Sequence, residues 1–318
     1  MAECAYSRHP RERGDSASVP AQKTLTIGPR FAATLAAAVL CVSSALADTA
    51  TDPAAALRAR YAALSQQLEH SAIQRGLYLE SVDDARAPRG DAYAVIDYPF
   101  ATVAAAFANP ANWCESMILH LNVQYCRANS SAGQPHLSAA VGKNTFQPLD
   151  DTHRIDFKHK VTASTADFLG VELLAEEGPL GTSDYRVALE LIALADQRSF
   201  MHIRYSYTQG AMARYASNVY FSTRARDKVG FTWVRNDGDA PRLVGGTRGA
   251  LERNTMRYYL AFDAYLQTLS IPEPQRFERS LEIWFADTER FARQLREVKH
   301  DDYIAMKRDQ YQRQQAAM

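Results

Sequence analysis

The stretch NWCESMILHLNVQYC, Asn112 to Cys126, holds two cysteines in an otherwise cysteine-poor chain. Cys114 and Cys126 could be a nucleophile, half of a metal site, or a staple. A catalytic thiol needs a base beside it, and His120 is the obvious candidate. Six residues along a helix turn that imidazole about 240° away from Cys114. A zinc site needs further ligands. His153 and His159 share strand parity, but six strand residues span about 20 Å, too far for one metal. No metal site and no cofactor is expected, and the staple stands ahead of both other readings.

The compartment supports the staple. FAATLAAAVLCVSSALA, Phe31 to Ala47, is uncharged, follows Arg30 and ends in the small-x-small cleavage site Ala45-Leu46-Ala47. This predicts a signal peptide over residues 1–47, with a long polar leader that points to a start codon further in. The expected product begins near Asp48 and is secreted, into the periplasm. Cys4 and Cys41 leave with the leader, so Cys114 and Cys126 are an even pair in an oxidising compartment, and a disulfide is expected. No later segment offers the roughly 20 apolar residues of a membrane span. The leader carries five basic and three acidic side chains of the 36 of each, which leaves a balance of −2 and no electrostatic case for nucleic acid as partner.

Elements must position these residues. Asp52-Pro53 opens an N-terminal helix within residues 48–76, with Leu57, Tyr61, Leu64 and Leu68 on one stripe. LYLESVDD and DAYAVIDYPF read as strands. ATVAAAFANP and ANWCESMILH read as short helices, and LNVQYC as a strand, so a bridge from Cys114 to Cys126 would pin helix to sheet. HLSAAVGK, HRIDFKHKVTAST, YRVALELIAL, SFMHIRYSYTQ, YASNVYFSTRAR and VGFTWVR then read as an antiparallel meander. After VGGTRG, Leu251, Thr255, Tyr258, Phe262, Tyr265 and Leu269 step by three and four along a long helix. Pro272 and Pro274 break it. A further single helix carries Phe277, Leu281, Trp284, Thr288, Phe291, Leu295 and Val298.

AYAVIDYPFATVAAAFANPANW, a strand running into a small-residue helix that ends before a Trp, and the terminal RGALERNTMRYYLAFDAYL resemble the START-like (SRPBCC) superfamily. The resemblance covers roughly Leu77 to Leu269 and implies an α+β helix-grip fold: a curved antiparallel sheet wrapped around a long C-terminal helix, with an apolar cavity between them. The START-like domain is placed at residues 77–270 and a C-terminal helical extension at 271–318. The N- and C-terminal helices are additions to the family's minimal pattern.

The hairpin YRVALELIALADQRSFMHIRYSYTQ puts Val187, Leu189 and Leu191 on one face, and Ile203, Tyr205 and Tyr207 on the matching face of its second strand. A three-residue loop, Asp196 to Arg198, sets Leu189 opposite Tyr205 and Glu190 opposite Arg204. Glu190–Arg204 is then either a solvated cross-strand pair or, twisted into the cavity mouth, an anchor for an anionic or carbonyl head group. Tyr258 and Phe262 on the long helix are core residues that would also touch a ligand lying beneath it, and buried tyrosines need hydroxyl partners. Trp113 and Trp233 read as packing residues. GGTRG fits neither phosphate-loop pattern and reads as a glycine hinge. GxSxG and HExxH do not occur.

The expected ligand-binding residues are therefore Leu189, Glu190, Ile203, Arg204, Tyr205, Tyr207, Tyr258 and Phe262. The expected function is binding of a hydrophobic small molecule or lipid, for transport or sequestration, with transient membrane contact allowed. The alternatives are an enzyme of polyketide-cyclase or hydrolase type, drawing acid–base groups from Glu190, His202 or the tyrosines, and an interaction module acting through the C-terminal helix.

Overall fold

Asp52 accepts a hydrogen bond from the Ala54 N–H and Pro53 takes the first helical position, which starts α1 (Pro53–Ala63) and its continuation α2 (Ser65–Glu69). The computed structural model describes residues 52–316 apart from 74–75, 132, 224, 236–237 and 239, so the expected signal peptide, Cys4 and Cys41 lie outside the described residues. Leu57, Leu64 and Leu68 are buried and pack with Tyr93, Phe168, Ile192 and Phe200. These four aromatic and aliphatic residues belong to one face of the sheet.

That sheet has eight strands. The chain lays down β1 (Leu77–Val82) and β2 (Arg89–Ile96), crosses through α3 (Phe100–Ala108) and α4 (Pro110–Met117), and reaches β3 (Val123–Ser131) at the far edge. It then returns through β4 (Gln134–Val141), β5 (His153–Ser164), β6 (Phe168–Glu177), β7 (Thr182–Ala193) and β8 (Ser199–Gln209) until β8 pairs with β2. The order is β1-β2-β8-β7-β6-β5-β4-β3, and every neighbouring pair is antiparallel.

Next come α5 (Ala211–Ser222), a two-stranded ribbon of β9 (Trp233–Val234) and β10 (Arg242–Leu243), and the long helix α6 (Gly246–Gln267). The chain ends with α7 (Gln275–Glu289), α8 (Ala292–Leu295) and α9 (His300–Ala316). The helix α6 packs on β1, β2 and β8 along one side and on α7 along the other. It is therefore buried almost all round, from Leu251 through Tyr258 and Phe262 to Leu266. A curved antiparallel sheet holding one long helix is the α+β helix-grip architecture. Gly249 allows the close packing at the start of that helix, since a side chain there would meet the Val244 carbonyl oxygen at 2.8 Å.

Cys114 on α4 and Cys126 on β3 form a disulfide with their Cα atoms 5.1 Å apart, joining helix to sheet edge.

Four segments depart from the sequence reading. FLGVELLAEE is a strand, β6, whose Leu169, Val171, Leu173 and Ala175 alternate inward, while Phe168, Gly170 and Leu174 on the opposite parity blur the apolar–polar contrast. YASNVYFSTRAR lies largely in α5, where Met212, Ala216 and Tyr220 recur at helical spacing. Its Tyr, Val and Phe content favours strands, yet among the described residues no strand pairs with this segment. VGFTWVR contributes only the short β9, and Trp233 is 60% exposed rather than packed. The single helix expected after Pro274 is α7 and α8, with α9 beyond it. The chain turns non-helical at Phe291 and extended at Arg296, which frees the Leu295 carbonyl to accept from Arg257. Phe277, Leu281, Trp284 and Leu295 are buried against the same core as α6, so the extension docks on its own sheet and helix.

Candidate ligand-binding cavity

Between the N-terminal half of α6 and the ends of β5, β7 and β8 the core gives way to empty space. Two contiguous lobes, of about 380 and 820 Å³, share Asn122, Pro179, Tyr185, Tyr205 and Asn254 in their walls. The smaller runs under β4 and β5, past Ile155 and Phe157. The larger opens beneath α5, which lies along it with Met212, Ala216 and Tyr220. No residue of α5 is buried, and Met212 is 80% exposed. This helix is a lid held over the cavity rather than a part of the core.

Tyrosines divide the lobes. Tyr185 and Tyr207 stack with ring centres 5.4 Å apart, Tyr185 meets Tyr205 edge-on at 6.1 Å, and Tyr205 lies 5.9 Å from Tyr258. Tyr185 sits beside a bulge in β7, where Asp184 takes φ 50° and pairing shifts between Ser183 and Arg186. Bulges re-aim side chains next to sites. The ring also needs Gly178, because a Cβ there would come within 2.1 Å of it. Burial raises the Tyr205 and Tyr258 hydroxyls well above their ordinary pKa and pushes Tyr207 up to about 12. All three are neutral hydroxyls at physiological pH, able to donate to a ligand oxygen.

His120 forms the floor of the smaller lobe. Its Nδ1 accepts the Asn122 N–H at 3.2 Å, so its proton sits on Nε2 and is donated to Asn254 Oδ1 at 2.9 Å. The ring stacks on Tyr258 at 4.7 Å. Burial first, then the Arg257 and Lys307 cations, hold its pKa well below the ordinary histidine value against the Asn254 hydrogen bond. His120 is neutral with both nitrogens engaged.

The larger lobe has a charged end. Arg257 donates from Nη2 to Glu297 Oε1 at 2.7 Å and to the Leu295 carbonyl at 3.1 Å. Lys228 reaches the same carboxylate oxygen at 3.2 Å. Arg253 donates to the Val229 carbonyl at 3.2 Å. Burial would raise Glu297, but Arg257 and Lys228 outweigh it and keep the carboxyl below its ordinary pKa.

Of the residues expected from sequence, Tyr205, Tyr207 and Tyr258 line this cavity. Leu189, Ile203 and Phe262 are fully buried and packed in the core behind it. Glu190 and Arg204 project from the other face of the sheet, so the cavity-mouth reading of that pair does not hold. Nor do they face each other. The loop is Ala195–Gln197, one residue earlier than expected: Leu194 N–H donates to the Arg198 carbonyl, and Asp196 and Gln197 take φ of 59° and 55°. Moving the loop by one residue moves the pairing by two, so Leu189 faces Ile203, Glu190 faces His202 and Ala188 faces Arg204. The apolar face survives because a two-residue shift keeps side-chain parity.

On that outer face His202 is held between two carboxylates, with Nε2 2.8 Å from Asp91 Oδ1 and Nδ1 2.8 Å from Glu190 Oε2. Arg204 donates to Asp91 Oδ1 at 2.7 Å, and the Tyr93 ring stacks on the imidazole at 4.3 Å. Burial pulls the His202 pKa down, but the two carboxylates outweigh it and raise it. The cluster joins β2, β7 and β8, behind the sheet from the cavity.

Sequence reasoning missed Tyr185, Asn254, Arg253 and Arg257, and weighed His120 only as a base for Cys114, not as a cavity residue. Tyr185 shares parity with Val187 and Leu189, and Asn254 lies one helical turn before Tyr258, so both had a signal in the spacing. His120 and the arginines had none. Among the described residues no group of three or more His, Cys, Asp and Glu is placed to hold a metal ion, and no helix is long and apolar enough to cross a membrane.

No family model matches the sequence, and no curated protein matches it. Solved structures similar to the chain include norcoclaurine synthase from Thalictrum flavum, at 10% identity over 46% of this chain and 89% of that one, with a TM-score of 0.33. A START superfamily protein from Mycobacterium smegmatis is similar at 9% identity, over 43% of this chain and 92% of that one, with a TM-score of 0.29. Ara h 8.0201 is similar at 10% identity, over 57% of this chain and 98% of that one, with a TM-score of 0.34.

Proposed function

We propose that this is an exported protein that binds a hydrophobic small molecule or lipid between sheet and long helix, for transport or sequestration. The observation that carries the reading is the lidded cavity itself. A space of about 820 Å³ is walled by Leu251, Phe221 and Met212 with tyrosine hydroxyls among them, which suits an apolar body with few polar atoms. A solidly packed core would have left no such volume. The apolar residues of α5, with Met212 and Tyr215 exposed at 80% and 68%, support transient contact of the lid with a membrane during loading. The alternative of an enzyme working in the same cavity would have to draw on the tyrosines or His120, because Glu190 and His202 lie behind the sheet.

Native mass spectrometry of protein purified from its own compartment tests the reading, together with titration of a fluorescent apolar probe. A co-purifying ligand and saturable probe binding are expected. Ala250, on the cavity wall, gives the control. Ala250→Trp fills the space and should abolish binding while the protein still unfolds cooperatively. Probe binding that survives this substitution unchanged would place the ligand elsewhere and sink the reading.

A further inference from the structure

The apolar reading leaves the charged end of the larger lobe unexplained. Lys228, Arg253 and Arg257 all line it, and among the described residues the one carboxylate lining it with them is Glu297. That carboxylate is already shared by Arg257 and Lys228. Arg253 and Arg257 are each only 5% exposed. A buried cation without a matched anion is costly, and proteins ordinarily pair it. Among the described residues Arg253 donates to the Val229 carbonyl oxygen, an uncharged partner. The Nε of Arg257 is buried with no hydrogen-bond partner among the described residues. Glu252, the neighbour of Arg253 in sequence, is committed elsewhere: its carboxylate accepts from Ser81 Oγ at 2.7 Å and from the amides of Phe231 and Thr232 at 2.6 and 2.9 Å. The lobe therefore holds two more cations than carboxylates at one end, while its other walls are Met212, Ala216, Phe221 and Leu251.

We infer that the ligand is an amphipathic acid, whose anionic oxygens seat between Arg253 and Lys228 at the Arg257 end and whose apolar body runs under α5 towards Tyr205. The inference rests on the cavity being the binding site. An anion there supplies the missing partner: guanidinium groups match carboxylate or phosphate oxygens in geometry, and hydrogen bonds between charged groups are the stronger kind. It also explains why the site is built from three elements. Arg253 and Arg257 lie one turn apart on α6, Lys228 lies on the segment that follows the lid, and Glu297 precedes α9. A bound anion would draw Lys228, and the lid segment with it, towards α6. The head could be a carboxylate or a phosphate, and the structure offers the same donors to both.

The test compares probes with one tail and different heads: dodecanoate, dodecyl phosphate and dodecanol, titrated calorimetrically below their micelle-forming concentrations. At least one of the anions should bind about tenfold or more tightly than dodecanol, and which of the two does so identifies the head. Arg253→Gln and Lys228→Gln should each cut that preference about fivefold or more. Lys228 is half exposed, so its variant keeps the test valid if Arg253→Gln proves unstable in a thermal melt. Equal binding of all three probes overturns the anionic head and leaves the apolar cavity standing. A preference that persists in the Lys228 variant and in a folded Arg253 variant also overturns it. If none of the three binds, both readings fall together.

Discussion

Lys307 on α9 donates a 2.6 Å hydrogen bond to the backbone carbonyl of His120, the residue that floors the smaller lobe. The ammonium also donates to the Val123 carbonyl and to Gln310 Oε1, each at 2.9 Å, and it is wholly buried with no carboxylate paired to it among the described residues. Its pKa lies well below the ordinary lysine value because burial penalises the charge. The last helix thus clasps the segment that joins the two halves of the disulfide and places His120.

Lys307→Met should keep the apolar stem and remove the donors. The carbonyls of His120 and Val123 then lose a partner in a buried site, at a cost of about 1–3 kcal/mol. Urea unfolding measures it. The loss should extend to the cavity, as weaker probe binding in protein that remains folded. A variant as stable as the parent would mean that shedding the buried charge offsets the lost hydrogen bonds.

The Cys114–Cys126 bridge closes a loop of sequence separation 12. Constraint of so short a loop in the unfolded chain corresponds to about 3 kcal/mol. Dithiothreitol should therefore lower the melting temperature of the parent and leave that of a Cys114→Ala, Cys126→Ala double variant unmoved. A parent indifferent to reductant would show that the bridge contributes nothing to stability.

His202 makes stability depend on pH in a calculable direction. Its folded pKa is raised by Asp91 and Glu190 above its ordinary value, which is about 6.5 in an unfolded chain. The folded state then binds the extra proton, so this contribution is complete below pH 6.5 and fades as pH rises through the folded pKa. The stability gap between parent and His202→Gln should be wider at pH 5.5 than at pH 8.5. A gap that is equal at both, or wider at pH 8.5, would contradict a charged imidazole.

Arg204 separates the two faces of the sheet. It pairs with Asp91 behind the cavity, so Arg204→Ala should leave ligand affinity within about twofold while costing about 1–3 kcal/mol through the buried carboxylate it leaves short of a partner. Calorimetric titration and urea unfolding on the same sample read the two effects. A selective loss of affinity for anionic probes would return Arg204 to the binding site.

Period and parity were local, and the sequence determined them. The stripe of Leu57, Leu64 and Leu68, the strands around Tyr93 and Ile203, and the long helix carrying Tyr258 and Phe262 all follow from spacing, because burial of one face repeats with the period of the element. The disulfide followed from two cysteines and an inferred compartment. Depth was not local. Leu189 and Tyr205 share a face by parity, yet one is packed and the other borders empty space, because only the curvature of the sheet around α6 sets where contact ends. Register was not local either: one residue in the Ala195–Gln197 loop decided that Glu190 meets His202, and the pairing of β8 with β2, a strand far away in sequence, brought Arg204 to Asp91. The charged end of the cavity needed most of the fold. Lys228, Arg253, Arg257 and Glu297 carry no common motif, and they converge only because the extension after Pro274 folds back on α6, a packing that no stretch of the chain encodes alone.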